Sequence, residues 1–446
     1  MMKRNLLLLL VLVMTFPAFA HEILGYWKGE VMSLPIVFHI SEKEGKLSAT
    51  LDSPMQGAKD IPCESVAVNG DSVEIKMPLL QASFKGVVEP DGNSIRGVFT
   101  QGVSIPMLLV RTTEEASKLY RPQEPKPPFV YNSREVTFSN GDITLAGTLT
   151  TPLWGNRYPA VVLVTGSGAQ NRDEEVFGHK PFAVIADYLT RAGFAVLRYD
   201  DRGVGGSSKG KLEDTTLDFA TDALAAIDFL KDQSFIDSNH IGIIGHSEGG
   251  TIAFICAAQQ PDDVSFVVSL GGTVVKGKDV MVMQNKMIAE VSGRPLSKDL
   301  EQNVIDVFNA IDTIEDEAEL STQLTELMSK QGLYSEVEIA RQVKIMTAPW
   351  YVAFVRLNPQ DYIKQVKCPV LALNGEWDVQ VNAQQNLNAL KSICSTAEIK
   401  SYPKVNHMFQ EAPSFEKSLD YGAISQTFSP EILDDMAKWI VKIIQK

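Results

Sequence analysis

A serine at position 247 stands between glycines two residues away on either side, in Gly245-His246-Ser247-Glu248-Gly249. The apolar run Ile241-Gly242-Ile243-Ile244 precedes it, and the helix-forming Thr251-Ile252-Ala253-Phe254-Ile255-Cys256 follows. This is the pattern of a nucleophile elbow, a strand-to-helix turn too tight for side chains on its flanking residues. A serine hydroxyl is a poor nucleophile until a base takes its proton, and the base needs a carboxylate to hold its tautomer and stabilise its charged form. Of the six histidines only His407 lies after both the elbow and a plausible carboxylate loop, at the end of Tyr402-Pro403-Lys404-Val405-Asn406-His407, and it is the expected general base. The acid is expected in Glu376-Trp377-Asp378, after the strand-like Leu371-Ala372-Leu373-Asn374-Gly375; Asp378, farther into the loop, is preferred to Glu376. A tetrahedral intermediate also needs two amide donors. One is expected from Glu248, the residue after the nucleophile, and the second from Gly166-Ser167-Gly168, with Ser167 first and Gly168 the alternative. That Gly-x-Gly does not continue into a dinucleotide fingerprint, because position 171 is Asn. No Cys/His spacing suggests a metal, and neither metal nor cofactor is expected.

These residues need a scaffold that brings strand ends together. From about residue 133 the chain alternates strands and helices: Tyr158 to Thr165, Ala195 to Tyr199, the elbow strand, Ser265 to Leu270, Val370 to Leu373 and Ala397 to Tyr402 read as strands. Pro181 to Ala192, Thr216 to Lys231, Ala383 to Ile393 and Glu431 to Ile444 read as helices with one apolar side. Such alternation implies an α/β fold, a mostly parallel sheet with helices on both faces. Residues 275–366 break the rhythm with helical segments alone, and read as a cap over the site. Met281, Met283, Met287, Trp350, Tyr351 and Phe354 in this stretch either line an acyl pocket or pack the cap onto the sheet. The charged segments Arg172-Asp173-Glu174 and Arg198-Tyr199-Asp200-Asp201-Arg202, with His179, read as a buried ion-pair network bracing the oxyanion loop, with substrate binding as the alternative.

Ahead of this region, residues 21–112 alternate with a period of two, as in Ile36, Phe38 and Ile40, and Asn69-Gly70 and Asp91-Gly92 mark hairpins. About eight short antiparallel strands are expected, in a small barrel or sandwich whose interior is filled by Trp27 and its neighbours. Residues 113–132, with Pro122, Pro125, Pro127 and Pro128, read as a semi-rigid linker. Residues 1–20 carry Lys3 and Arg4, an apolar run from Leu6 to Phe16 and small residues in Ala18-Phe19-Ala20, the layout of a secretory signal peptide. Its removal takes the formal charge from −14 to −16. An acidic chain of this kind is a poor partner for nucleic acid or an anionic membrane, and no later segment is apolar enough to span a bilayer. The expected location is therefore periplasmic or secreted, with a small-molecule partner and an oligomeric state left open. Export also permits disulfides, and Cys368 with Cys394 is the expected pair, since both fall at one end of the sheet.

Taken together, the residues from 133 to 446 resemble the α/β-hydrolase superfamily, and within it exported bacterial esterases related to the serine aminopeptidase-like group. The resemblance rests on Gly-Ser-Gly-x-x-x-Arg-Asp at 166–173, Arg-Tyr-Asp-Asp-Arg-Gly at 198–203, Gly-His-Ser-Glu-Gly at 245–249, Asn-Gly-x-x-Asp at 374–378 and Asn-His at 406–407, all in order. It departs from the family's commoner His-Gly at the oxyanion loop, having Thr165-Gly166. The resemblance implies hydrolysis of carboxylic esters through an acyl-enzyme, with Ser247, Asp378 and His407 as the matching triad. Small or medium acyl esters are the leading substrate class. A serine aminopeptidase with the same triad, and a ligand-binding β-domain carrying an idle hydrolase domain, are the alternatives.

Overall fold

Alternating apolar residues fold the first part of the chain into one curled antiparallel sheet. Its strands are β1 (Gly25–Val31), β2 (Leu34–Lys43), β3 (Lys46–Ser53), β4 (Ala58–Pro62), β5 (Ser65–Asn69), β6 (Ser72–Met77), β7 (Ala82–Val88), β8 (Ser94–Gln101) and β9 (Val103–Thr112). The computed structural model describes residues 23–31, 34–56, 58–332 and 334–445, so the leader read over residues 1–20 lies outside the described residues. The strand order is β4-β3-β2-β1-β9-β8-β7-β6-β5. Nine strands replace the eight expected because β4, Ala-Lys-Asp-Ile-Pro, has no buried residue and no apolar alternation to betray it. The amide of Cys63 donates to the Ala49 carbonyl at 2.9 Å and that of Glu64 to the Lys76 carbonyl at 2.8 Å, which draws the two ends of the sheet together. Trp27, Phe38 and Phe84 are fully buried inside the curl, so its interior is filled by its own side chains.

The chain divides at Tyr120 and Arg121 into two compact units, with the short helix α1 (Glu114–Ser117) closing the first. In the second, β10 (Tyr131–Asn140) and β11 (Ile143–Pro152) form a hairpin that joins antiparallel to β13 (Ala195–Tyr199). From β13 onward the sheet is parallel through β12 (Tyr158–Val164), β14 (Ile236–His246), β15 (Phe266–Leu270), β16 (Val370–Gly375) and β17 (Glu398–Tyr402). Helices α2 (Pro181–Arg191) and α12 (Pro430–Ile444) cover one face, burying Phe182, Ile185, Met436 and Trp439. Helices α3 (Thr216–Lys231), α4 (Glu248–Gln259) and α11 (Ala383–Ile393) cover the other with Ala223, Ile227, Phe254 and Leu390. Strands buried on both faces explain their near-continuous apolar runs.

Between β15 and β16 lie six helices: α5 (Gly277–Val291), α6 (Lys298–Thr313), α7 (Glu317–Gln331), α8 (Glu336–Met346), α9 (Pro349–Arg356) and α10 (Gln360–Ile363). Phe308, Ile311, Leu324, Val343 and Val355 give this cap a core of its own. Among the described residues, no helix is long and apolar enough to cross a membrane. The expected Cys368–Cys394 bridge is not formed, and all four cysteines are free thiols. Cys394 Sγ turns instead toward the Thr396 hydroxyl at 3.7 Å, while burial pushes the Cys368 thiol up to about 12.

Candidate active site

Parallel strands deliver their carboxyl ends to one edge of the sheet, where ligands of open α/β folds bind. Thr165–Gly168 follows β12, Ser247 follows β14, Asp378 lies three residues past β16 and His407 five past β17. Ser247 has φ 53° and ψ −120°, a left-handed conformation that costs a non-glycine residue of order 1–3 kcal/mol and persists only where the surroundings impose it. Here they do. A Cβ on Gly245 would collide with the Gly249 carbonyl and one on Gly249 with the Val164 carbonyl, so strand, turn and helix close only without those side chains. The Ser247 amide donates to the Leu270 carbonyl at 2.9 Å, anchoring the turn to the end of β15.

Asp378 Oδ2 lies 2.7 Å from His407 Nδ1, and both side chains are buried. The other carboxylate oxygen of Asp378 accepts from the amides of Gln380 and Val381, each at 2.8 Å, which fixes the orientation of the group. The histidine's loop is pinned as well: Val405 accepts from the Trp377 amide at 3.0 Å, and the Asn406 and Gln410 side chains bond at 3.0 Å. Gly271, next after the Leu270 that holds Ser247, sits where a Cβ would be 3.3 Å from Asp378 Oδ2 and 3.5 Å from His407 Nδ1. Serine, acid and histidine thus converge on the end of β15. Glu376, the alternative acid, accepts instead from the Ser401 hydroxyl at 3.0 Å.

In the loop after β12, a Cβ built on Gly166 would stand 3.1 Å from Ser247 Cβ, so this loop abuts Ser247. The Gly166 amide is committed to Glu174 Oε1 at 2.8 Å and so is not free for another acceptor. Ser167 is exposed, and Gly168 has φ 99°. Glu248 opens α4, where backbone amides lack intrahelical partners.

The charged segments brace this loop. Arg172 pairs with Asp200 at 2.7 Å and with Glu135, Arg198 pairs with Asp173, and Arg202 pairs with Asp222 at 2.6 Å and Asp214 at 2.9 Å. Asp201 accepts from the Thr165 hydroxyl at 2.8 Å and the Gln170 amide at 2.9 Å, spanning the loop, and burial pushes its carboxyl up to about 7. His179 is buried but not ion-paired. It bonds Thr427 at 2.9 Å and the Tyr421 carbonyl at 3.0 Å, and burial lowers its pKa to about 4.

One participant had no role in the sequence reading. His246 Nδ1 is 2.8 Å from Glu174 Oε1, the atom that also receives the Gly166 amide, and its Nε2 is 2.9 Å from the His407 carbonyl. The ring therefore links oxyanion loop, elbow and histidine loop. Its sequence signal was only adjacency to Ser247. The cap residues divide as well: Met281 and Tyr351 pack on the cap core, Met287 Sδ accepts from Asn382 at 3.2 Å, and Trp350 alone of the six lines a cavity beside the elbow.

Residues 179–412, just over half of the chain, match the family described as serine aminopeptidase, S33. The chain belongs to that family. It is a serine hydrolase with the α/β-hydrolase fold, with the helical cap inserted between β15 and β16 and the antiparallel β-unit ahead of it in the chain. The esterase EstD of Thermotoga maritima is 25% identical to this hydrolase over 317 residues, covering 69% of this chain and 68% of EstD. An acyl transferase of Photobacterium leiognathi is 35% identical over 94 residues, 21% of this chain and 28% of the transferase. Among solved structures, Est1E of Butyrivibrio proteoclasticus with ferulic acid bound is 17% identical, with a TM-score of 0.44 over 70% of this chain and 100% of that one. The α/β hydrolase GrgF of a Penicillium species is 16% identical, with a TM-score of 0.46 over 71% of this chain and 100% of that one.

Proposed function

We propose that this hydrolase is a carboxylesterase, exported by its leader, that cleaves small or medium acyl esters through an acyl-enzyme on Ser247. The observation that carries the proposal is the 2.7 Å contact of Asp378 Oδ2 with His407 Nδ1. A carboxylate at Nδ1 holds the proton there and leaves Nε2 as the base. Ser247 Oγ attacks the ester carbonyl as His407 Nε2 takes its proton. The carbonyl oxygen becomes an oxyanion held by the amides of Glu248 and of Ser167 or Gly168. Collapse of the intermediate expels the alcohol, which receives the proton from His407. Water then attacks the acyl-enzyme with the same base, releasing the acid and restoring Ser247. Asp378 stays ionised throughout and stabilises the imidazolium.

The order Ser247, Asp378, His407 along the chain is that of this fold, and the similarity to EstD supports ester substrates. An aminopeptidase would need a free carboxylate for the substrate amine. Glu248, the acid next to Ser247 in the chain, has its Oε1 engaged by the Thr216 hydroxyl at 2.6 Å and Trp350 Nε1 at 3.0 Å. The test is turnover of nitrophenyl acyl esters and of aminoacyl nitroanilides by the wild type and Ser247→Ala. The expected outcome is ester turnover that falls ~10⁴-fold or more in the variant, as for loss of other triad serines. Ester turnover surviving the substitution removes Ser247 from the mechanism, and amide turnover exceeding ester turnover replaces the esterase with a peptidase. Cell fractionation tests the export.

A further inference from the structure

Beside the elbow is a cavity of about 200 Å³, smaller than the ~300 Å³ at which drug-sized ligand sites begin. The oxyanion loop bounds it through Gly166 and Gly168, α4 through Glu248 and Ile252, α3 through Phe219, and the cap through Trp350. Ser247 is not on its lining, but two of its neighbours are. Glu248 follows Ser247 in the chain, and Gly166 lies against Ser247 Cβ. An acyl group bonded to Ser247, with its oxygen on the neighbouring amides, therefore lies next to this space.

The wall on the cap side is held in place. Trp350 Nε1 donates to Glu248 Oε1 at 3.0 Å, and the same oxygen accepts from the Thr216 hydroxyl at 2.6 Å, so the indole is tied to the buried start of α4. Behind it, the Phe354 ring stacks on the indole with centroids 5.7 Å apart. The cavity also has a definite electrostatic character. The buried carboxyl of Glu248 and that of Asp201 line it, whereas Arg202, the cation on its lining, is already paired with Asp222 and Asp214. An anionic group placed here would lose water and meet no free counter-charge, a combination that costs several kcal/mol.

We infer that this cavity is the acyl site of the hydrolase, that Trp350 is its end wall, and that it admits uncharged acyl groups of up to ~six carbons. The length follows from the volume, since a methylene takes about the space of one water in the liquid, ~30 Å³. The inference rests on the esterase reading above. It makes Trp350 the residue that sets acyl length, and the desolvated lining without a free counter-charge the feature that rejects dicarboxylic half-esters.

The test is kcat/KM for nitrophenyl esters from acetyl to dodecanoyl, and for the hemisuccinyl ester, with wild type, Trp350→Ala and Trp350→Leu. The wild type is expected to lose ~10-fold or more between hexanoyl and octanoyl, as a pocket does when one or two methylenes do not fit. Trp350→Ala is expected to raise the decanoyl-to-butanoyl ratio ~10-fold or more, with Trp350→Leu shifting it less in the same direction. The hemisuccinyl ester is expected to be cleaved ~100-fold more slowly than the butanoyl ester by the wild type. If the wild type cleaves no ester, the esterase reading fails and this inference with it. If it cleaves esters but both variants keep its length profile, the inference alone is overturned; should Trp350→Ala not fold, the Leu variant decides. Equal rates on hemisuccinyl and butanoyl esters overturn the assignment of charge.

Discussion

His246 faces two accepting groups, the Glu174 carboxylate and the His407 carbonyl, an arrangement that favours a proton on both ring nitrogens. Burial alone would push its pKa down, but the Glu174 charge and hydrogen bond, with the carbonyl, outweigh burial and raise it. The folded protein thus keeps a proton that the unfolded chain releases near pH ~6.5. This stabilisation is complete below that value and is lost as pH rises through the raised folded pKa. Glu174→Gln removes the charge while leaving an acceptor for the Gly166 amide. Its melting temperature is expected to lie below that of the wild type at pH 6, with the gap narrowing toward pH 9, as read by thermal melts across that range. Its kcat is expected to fall ~10–100-fold with KM little changed, because the His407 loop loses its tie to the oxyanion loop without loss of substrate contacts.

At the scale of elements, the elbow works because β14 and α4 meet at a turn with no room for side chains. Gly245→Ala sets a Cβ against the Gly249 carbonyl, backbone that cannot step aside. The expected cost is ~3 kcal/mol or more, at the upper end for overpacking, read as a fall in the urea midpoint. The elbow, with its strand and helix, was legible from spacing and apolar pattern alone, as were the strands that carry Asp378 and His407. β4 was not, because a strand with no buried face has no hydrophobic period. Nor was the division of labour in the cap legible: Trp350, Tyr351 and Phe354 lie on one helix, yet Trp350 lines the cavity, Tyr351 packs on the cap core and Phe354 backs Trp350. Which of them meets the elbow depends on how α9 is laid across it.

For the whole molecule, the proline-rich stretch after residue 113 divides between the two units. From Arg121 onward it is built into the hydrolase unit: Arg121 donates to the carbonyls of Gly178 at 3.0 Å and Gly422 at 2.7 Å. Gln123 bonds the Phe428 carbonyl at 2.7 Å and the Thr427 amide at 2.6 Å, and Glu124 receives the Lys180 amide at 3.1 Å. A chain beginning at residue 119 is therefore expected to fold as a stable hydrolase unit. One beginning at residue 126 is expected to be ~3 kcal/mol or more less stable, since it leaves several buried carbonyls and amides without partners. Urea unfolding of the two truncations checks this. Composition marked the stretch as a linker, but prolines report local stiffness and not which surface a segment lies on.

The order of the motifs and the alternation of strands and helices are local properties, and they were enough to specify a parallel α/β sheet with an elbow serine, a downstream acid and a downstream histidine. Chain order works because consecutive parallel strands must bring their carboxyl ends to the same edge. The parts that waited for the tertiary structure join residues far apart in the chain: His246 to Glu174, 72 positions away, and Trp350 to Glu248, 102 positions away. A buried charge and a pocket wall are defined by what surrounds them, and those surroundings exist only once the cap and the loops have packed against the sheet.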